Sequence, residues 1–414
     1  MNKFILKLNN SLKYRRDKLI DFVYSTKLYQ TIIKSFLLYI NKSWTNKIDK
    51  YKHIDALFDM NISKIQSILF KWITSENIRY NNQEIINNSV YLSTLPHNVM
   101  FDTSSACNFD CNMCLRVTSP EIFKKMRALP SKRTMKEFIK ILPFIKQGLL
   151  YRSGEPFLNK ALLPLSKLSQ KCQTEVTITT NGSLIDDKKA SYIVKSQIKI
   201  LRYSIDAASK ETFEYIRKKG NFDEIMAGID KINFYKRKFN SNYPELKWHF
   251  VAQKRNISEL LDAVKLASVK GFEEFEIHYM VAPKSSPIES QCLYYFKSLS
   301  DEMMHKAKQK AKELNIKILL PNLFEAFTEN KITAKKHAIN CKLPWFSAVI
   351  RTTGDVVPCC GCAYGVNLGN LNEMSFRDIW NGEGFVQLRK NLVENNPPDY
   401  CLNCTGYKTF QGLE

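Results

Sequence analysis

Three cysteines, Cys107, Cys111 and Cys114, fall within the run Ser104-Ser105-Ala106-Cys107-Asn108-Phe109-Asp110-Cys111-Asn112-Met113-Cys114. Thiols spaced C-x3-C-x2-C either share a soft metal or form strained bridges. A structural zinc site closes with a fourth ligand. The run contains no fourth cysteine, and the nearest histidine, His97, lies on the far side of the strand expected over Val99–Ser104. A [4Fe–4S] cube held by three thiolates instead leaves one iron open to an exogenous ligand. A second set, Cys341, Cys359, Cys360, Cys362, Cys401 and Cys404, occupies the last quarter of the chain. Four thiolates suffice for one fully ligated [4Fe–4S] cluster, and equally for a zinc ribbon.

Compartment decides between metal and disulfide. Phe4-Ile5-Leu6 is broken by Lys7 before a secretory h-region forms. The best apolar run, Ser35 to Ile40, falls far short of the ~20 residues that span a bilayer. The chain is therefore expected to be cytoplasmic, where thiols stay reduced and clustered cysteines mean metal. With 414 residues, 44% of them hydrophobic and 25% charged, it reads as a globular protein rather than a disordered one. The length allows two or three domains at ~150 residues each. The formal charge of +22 suits an acidic partner, an anionic membrane surface or nucleic acid, or a surface simply written in lysine. No added nucleic-acid-binding motif accompanies it.

The cysteine run resembles the signature of the radical S-adenosylmethionine (radical SAM) enzymes. The resemblance implies that the open iron chelates SAM. Reduction of SAM then yields a 5′-deoxyadenosyl radical that takes hydrogen from a substrate, with electrons from a flavodoxin- or ferredoxin-type donor. Ser153-Gly154-Glu155-Pro156 is similar to the family's Gly-Gly-Glu turn, with serine in place of the first glycine. Ser204-Ile205-Asp206-Ala207-Ala208, followed by Glu211, Thr212 and Arg217, resembles its fourth-strand stretch. These likenesses place Met113, Gly154, Glu155, Ser204, Asp206 and Arg217 at SAM. An alternative for Arg217 is a salt bridge on its helix, and for Glu155 a helix N-cap or a surface role. Cys-x12-Gly-x4-Cys from Cys341 through Gly354 to Cys359, with Cys401-x2-Cys404, resembles the SPASM/Twitch auxiliary-cluster domain. That resemblance assigns Cys341, Cys359, Cys401 and Cys404 to one auxiliary [4Fe–4S] cluster, the single-cluster Twitch-like form, and leaves the roles of Cys360 and Cys362 open.

The elements that must position these residues alternate. Strands are expected at Val99–Ser104, Leu149–Arg152, Glu175–Thr180, Ile198–Ile205, Lys247–Gln253 and Phe275–Met280. Helices are expected at Thr134–Lys146, Lys210–Lys218 and Ser258–Lys270. Strand–helix alternation predicts a parallel sheet with right-handed crossovers, and chemistry in such barrels sits at the C-terminal strand ends. The expected fold is α/β: a partial (β/α)6 radical SAM barrel with an N-terminal helical extension and a small C-terminal SPASM/Twitch domain. Its boundaries are 1–95, 96–300, a linker with helices over 301–340, and 341–414. The linker holds a helix at Asp301–Leu314 and a strand at Ile316–Leu320, and a hairpin is expected around Thr353-Gly354-Asp355.

Up to Lys52 twelve basic residues face only Asp17, Asp21 and Asp49. Leu19, Phe22, Val23, Leu28, Ile32, Phe36 and Ile40 recur at helical spacing. A basic amphipathic helix of this kind lies on an anionic membrane surface or packs as a collar on the catalytic domain. Glu276, His278 and Met280 share one face of the sixth strand, where His278 is either a base or a structural histidine. The resemblance implies a small-molecule or peptide substrate, with two-electron oxidation of a sugar or other small polar metabolite as the first expectation. Peptide or protein maturation is the alternative, with an RNA-modifying enzyme and a non-catalytic zinc-binding protein behind it.

Overall fold

The structure, a computed structural model, describes residues 42–51, 53–283, 286–325, 338, 340–360 and 366–402. The chain forms two compact units, Met1–Lys52 and His53–Glu414. In the first, residues 42–49 are helical. The apolar series from Leu19 to Ile40, most of the helix expected over 325–340, Cys362 and Cys404 lie outside the described residues.

In the second unit a short helical segment, Ile54–Phe58, precedes α1 (Lys64–Ile86), which is started by a capping box in which the Ser63 hydroxyl accepts from Gln66 N and the Gln66 side chain accepts from Ser63 N. Then come β1 (Asn98–Phe101), α2 (Lys132–Ile141), β2 (Gln147–Leu149), α3 (Leu162–Lys171), β3 (Glu175–Thr180), α4 (Asp187–Lys195) and β4 (Ile200–Ser204). The chain continues through α5 (Lys210–Ile216), α6 (Phe222–Lys238), β5 (Glu245–Ala252), α7 (Leu260–Val269), β6 (Glu274–Tyr279), α8 (Lys297–Glu313) and β7 (Lys317–Leu319). The last part holds α9 (Leu343–Phe346), β8 (Ser347–Ile350), β9 (Val356–Val357), α10 (Phe376–Trp380), α11 (Glu383–Val393) and α12 (Asp399–Leu402).

Among the described residues, nine strands lie in one sheet, ordered β7-β6-β5-β4-β3-β2-β1-β8-β9, with only the β8–β9 pair antiparallel. The six expected strand–helix units form its centre, so the fold class is the α/β one anticipated. Period-two alternation separates the two faces. Leu246, Trp248, Phe250 and Ala252 of β5 are buried, while Lys247, His249 and Val251 alternate with them. The apolar face packs beneath the helices, where Trp248 and Tyr203 both meet the Phe272 ring. The opposite face carries Arg202, Ser204, His249, Glu276 and His278.

Several boundaries or placements differ from expectation; the first strand, for instance, ends at Phe101 rather than Ser104. The helix expected to run to Lys146 stops at Ile141 and tightens to a 3-10 turn over Leu142–Phe144, because Pro143 cannot continue the ladder. The second strand ends at Leu149 instead of Arg152, leaving Tyr151 and Arg152 on the turn above the sheet. The strand expected in the linker, now β7, pairs in parallel with β6 and enlarges the sheet. Lys317 and Lys247 both reach Glu274 there, at 2.5 and 2.8 Å. The C-terminal hairpin does not stand apart. Its first strand, β8, pairs in parallel with β1 from Asn98↔Ser347 to Phe101↔Ile350. The hairpin turn is as expected: Gly354 has φ +92°, in the left-handed region that glycine adopts without strain.

Helix α1 buries polar side chains and uses them as ties. Asn77 Nδ2 donates to Leu95 O (2.8 Å), Thr74 Oγ1 to Pro143 O (2.9 Å) and Asn81 Nδ2 to Trp345 O (2.8 Å). The loop after it is clasped by the C-terminal helices: Asn381 exchanges both amide bonds with Leu92, and Trp380 Nε1 donates to Thr94 O. Arg389, fully buried, donates to Pro344 O, Val90 O and Trp380 O. These bonds give each of the four side chains, Thr74, Asn77, Asn81 and Arg389, at least one buried partner, as burial favours.

Candidate active site

The three-cysteine run leaves β1 at the C-terminal edge of the sheet and is tied on several sides. Glu155 N donates to Ala106 O (2.8 Å), and Asn181 Nδ2 donates to Asn108 Oδ1 (3.0 Å). Asn108 Nδ2 donates to Ser183 Oγ (2.9 Å), and Asp110 N and Asn112 N donate to Lys218 O and Ile216 O, both at 3.0 Å. Ser105 N and Oγ donate to Ala128 O and Arg127 O, and the Arg116 guanidinium donates to Ser105 O. The turns after β2 and β3 and the end of α5 therefore fix one loop.

Gly154 is the tightest of these joints. A Cβ there would lie 2.7 Å from Ser104 O and Ser105 C and closer still to Ala106 O. The turn can approach the cysteine loop only because it carries no side chain. Glu155, which is fully buried, spends both carboxylate oxygens on neighbouring turns. Oε1 accepts from Thr180 Oγ1 (2.7 Å) and Phe157 N (3.1 Å), and Oε2 accepts from Asn181 N (2.8 Å). Burial pushes its carboxyl up to about 7 against those bonds.

Asp206 and Arg217 form a buried ion pair, with Arg217 Nη2 2.7 Å from Asp206 Oδ2. The other oxygen of Asp206 accepts from Val251 N (2.8 Å), and Arg217 Nη1 lies 3.9 Å from Cys111 Sγ. Burial pushes the Cys111 thiol up to about 12 and raises that of Cys107, with the Arg217 cation pulling Cys111 back toward the thiolate. Met113 turns the other way and packs on a small apolar wall of Met280, Ile288 and Cys292, with Val251 and Ala282. Ser204 sits on the polar face of β4, in register with His249.

Beyond these lies a polar group that the sequence reading only half found. Arg202 Nη1 donates to Tyr151 Oη (2.9 Å), Arg202 Nε lies 3.0 Å from Glu276 Oε2, and Glu276 Oε1 is 3.0 Å from His278 Nε2. The rings of His249 and His278 stand 4.7 Å apart. Burial opposes the charge on Glu276, but the His278 hydrogen bond and the Arg202 cation outweigh it and hold its carboxyl down at about 2. Burial, with His278 and Arg202 beside it, pushes His249 down to about 3. Glu276 and His278 show in the alternation of β6. Arg202, Tyr151 and His249 give no local signal, since only strand pairing brings them together. The bracing asparagines Asn108 and Asn181 read in sequence as loop and turn residues.

Three thiols in one loop, Cys107, Cys111 and Cys114, with no fourth beside them in the run, fit a cube that keeps one iron open. In the C-terminal part Cys359 packs with Val349 and Val357 beside Tyr400, so the end of β9 meets α12, the helix that carries Cys401. Cys341 immediately precedes α9. Arg152 Nη2 donates to Cys360 O (3.4 Å), joining the turn after β2 to this segment.

The family model of the radical SAM superfamily matches residues 102–244, and that of the SPASM iron–sulfur cluster-binding domain matches residues 341–405. The chain belongs to the radical SAM superfamily. It is a radical SAM enzyme with a C-terminal SPASM domain, and its cofactors are a [4Fe–4S] cluster, SAM and auxiliary iron–sulfur chemistry. The non-catalytic zinc reading is set aside by these matches. The AdoMet-dependent heme synthase of Methanosarcina barkeri is 21% identical over 327 residues, covering 72% of this chain and 86% of that protein. The GTP 3′,8-cyclase of Peptoclostridium acidaminophilum is 27% identical over 129 residues, covering 30% of this chain and 38% of the cyclase. The chain thus spans well under half of that cyclase. Streptococcus suis SuiB bound to S-adenosylmethionine superposes with a TM-score of 0.58 at 16% identity, covering 86% of this chain and 80% of SuiB. SuiB is also known bound to its precursor peptide SuiA. That likeness is one of fold. Among the described residues no helix is long and apolar enough to cross a membrane.

Proposed function

We propose that Cys107, Cys111 and Cys114 hold the SAM-binding cluster and that the enzyme carries out a two-electron oxidation of a polar substrate lying against Arg202, Glu276 and His278. Reduced, this cluster supplies the electron that converts SAM to a 5′-deoxyadenosyl radical, the hydrogen-abstracting agent. The observation that carries the reading is the convergence on one loop of the Gly154-Glu155 turn, Asn181 and the Asp206–Arg217 pair. Met113, Gly154 and Ser204 border the SAM region. Glu155, Asp206 and Arg217 fix the loop and place a cation beside Cys111, and the buried Nε of Arg217, which has no hydrogen-bond partner among the described residues, with the remaining acceptor capacity of Glu155, keeps them at SAM as well. Cys341, Cys359, Cys401 and Cys404 are the thiols for the auxiliary cluster, which suits an electron-accepting role. The proposed domain division stays at 96–300 for the core and 341–414 for the cluster domain.

A small metabolite fits the charged, hydrogen-bonding face of β4–β6. The apolar wall around Met113 and Met280 favours a second reading, in which a peptide side chain enters there. The deciding measurement is anaerobic 5′-deoxyadenosine release, with iron counted on the same samples. The wild type should give product and ~8 irons per chain, and Cys107→Ala/Cys111→Ala/Cys114→Ala no product and ~4 irons. Product from the triple variant would sink the assignment. A metabolite panel and a peptide panel, each scored by coupled product, separate the two substrate classes.

A further inference from the structure

On β6, Glu276, His278 and Met280 follow one another on the face turned away from the helices, while Phe275, Ile277 and Tyr279 are buried on the other. Met280 belongs to the wall on which Met113, the neighbour of Cys114, packs. His278 lies two residues back, ~7 Å down the strand and so beneath the cysteine loop. On the opposite flank Arg202 Nη1 donates to Tyr151 Oη, and the next residue, Arg152, donates to Cys360 O. The polar group therefore stands between the two sets of cysteines. It also has a direction. Glu276, pinned from β4 by Arg202 Nε at 3.0 Å, is held as a carboxylate and can only accept. His278 Nε2, 3.0 Å from its other oxygen, is thus the ring nitrogen that carries the proton. Nδ1 is left as an acceptor. It makes no hydrogen bond among the described residues, on a side chain that is 45% exposed. His249, whose ring stands 4.7 Å away, adds no second charge, because burial pushes it down to about 3. Arg202 and Glu276 cancel each other. The group offers one unengaged acceptor without net charge, which suits a neutral hydroxyl better than a carboxylate or a phosphate.

We propose that His278 is the base of the reaction and that the substrate is an alcohol: Nδ1 takes the proton of a hydroxyl whose own carbon gives up its hydrogen atom, and the product is a carbonyl compound. The proposal rests on the two-electron oxidation proposed above and adds to it the proton acceptor and the substrate class. The C–H hydrogen atom passes to the 5′-deoxyadenosyl radical, giving 5′-deoxyadenosine. The O–H proton passes to His278 Nδ1. The electron left on the substrate passes to the oxidised auxiliary iron–sulfur cluster. One C–H and one O–H bond break, the second C–O bond forms, and the alcohol has lost two electrons. Glu276, on the far side of the ring, is the positioning residue: it holds the tautomer and offsets the charge of the imidazolium.

The test uses the reconstituted holoenzyme with SAM, limiting dithionite and three probes deuterated on every carbon: glycerol, myo-inositol and sorbitol. Deuterium in 5′-deoxyadenosine reports the hydrogen-atom step, and carbonyl trapped as a hydrazone reports the completed oxidation. Electron paramagnetic resonance of frozen samples reports the radical between them. The wild type should take deuterium from at least one probe and form a matching amount of carbonyl. His278→Gln should still transfer deuterium, while carbonyl falls ~100-fold, the scale of a lost general base, and a carbon-centred radical accumulates. Imidazole added to His278→Gly should restore part of the carbonyl. His305→Gln, on α8 and paired with Glu325, should match the wild type throughout. Unchanged carbonyl in His278→Gln overturns the role of His278. So does an equal loss of deuterium transfer and carbonyl in both His278 variants without imidazole rescue, which is what a merely structural residue would give. A wild type that releases 5′-deoxyadenosine without deuterium from any probe overturns the alcohol class. Deuterium transfer without carbonyl in the wild type overturns the two-electron oxidation instead, and no 5′-deoxyadenosine at all overturns the cluster assignment, each taking the base with it.

Discussion

Gly154→Ala is the most informative single change. Ordinary van der Waals contact begins near 3.4 Å, whereas the new Cβ would lie 2.7 Å from Ser104 O and Ser105 C and nearer to Ala106 O. These are backbone atoms, so no side chain can swing away. Segment 104–106 must retreat by at least ~0.7 Å, beyond the ~0.5 Å within which a site keeps its geometry. Overpacking of this kind costs ~1–3 kcal/mol, and stretching the Glu155 N–Ala106 O bond adds ~1 kcal/mol. If the strain falls on the loaded loop, ~2–4 kcal/mol corresponds to a loss of about 30- to 1000-fold in cluster retention. The assay is anaerobic reconstitution followed by desalting, with iron, sulfide and near-420 nm absorbance read against wild type and Ser153→Ala. Ser153 holds Asp102 Oδ1 through its backbone N–H at 3.3 Å, a bond that alanine keeps, so that neighbour should lose little. A Gly154→Ala protein that keeps full iron and releases 5′-deoxyadenosine at the wild-type rate would refute the close-approach argument.

Arg217→Met should destabilise the protein by ~3–5 kcal/mol, because it strands the fully buried Asp206 carboxylate. Adding Asp206→Asn should restore most of the thermal stability but not the iron content, since Cys111 still lacks its cation. Equal recovery of both would deny Arg217 any part in holding the cluster. The buried Glu155, with a folded value of about 7 against an ordinary 4.5, makes stability depend on pH. Between those values the folded state binds a proton that the unfolded state does not, so stability falls as pH rises from about 4.5 to 7. The full penalty, of order 3 kcal/mol, is present above that. Thermal melts of Glu155→Gln should accordingly show a flatter slope from pH 5 to 7, and a slope matching wild type would exclude this group as the source. Glu276→Gln removes the anion between Arg202 and His278, and should lower coupled substrate turnover at least ~10-fold while uncoupled 5′-deoxyadenosine release persists. Loss of both would mean that the residue holds the barrel together rather than meeting substrate.

Spacing along the chain was enough for the cysteine loop, the Gly154-Glu155 turn and the strand–helix alternation, because all three are set by neighbours within a few residues. Thiols three and four residues apart must lie close together whatever the fold, and period-two strands alternating with amphipathic helices point to a parallel sheet. Tertiary structure decided what joins what. Nothing local to Ser347–Ile350 marks it as the partner of β1, nor Lys317–Leu319 as the seventh strand, because edge pairing depends on which backbone groups remain unsatisfied once the core has closed. The same holds for charges. Only the fold sets the buried carboxylate of Asp206 against Arg217, and only the fold brings Thr180 and Asn181 to the carboxylate of Glu155. Arg202, Glu276 and His278 come from strands far apart in sequence. They form one polar group only because β4 and β6 flank β5 in parallel register and hold their side chains on a single face.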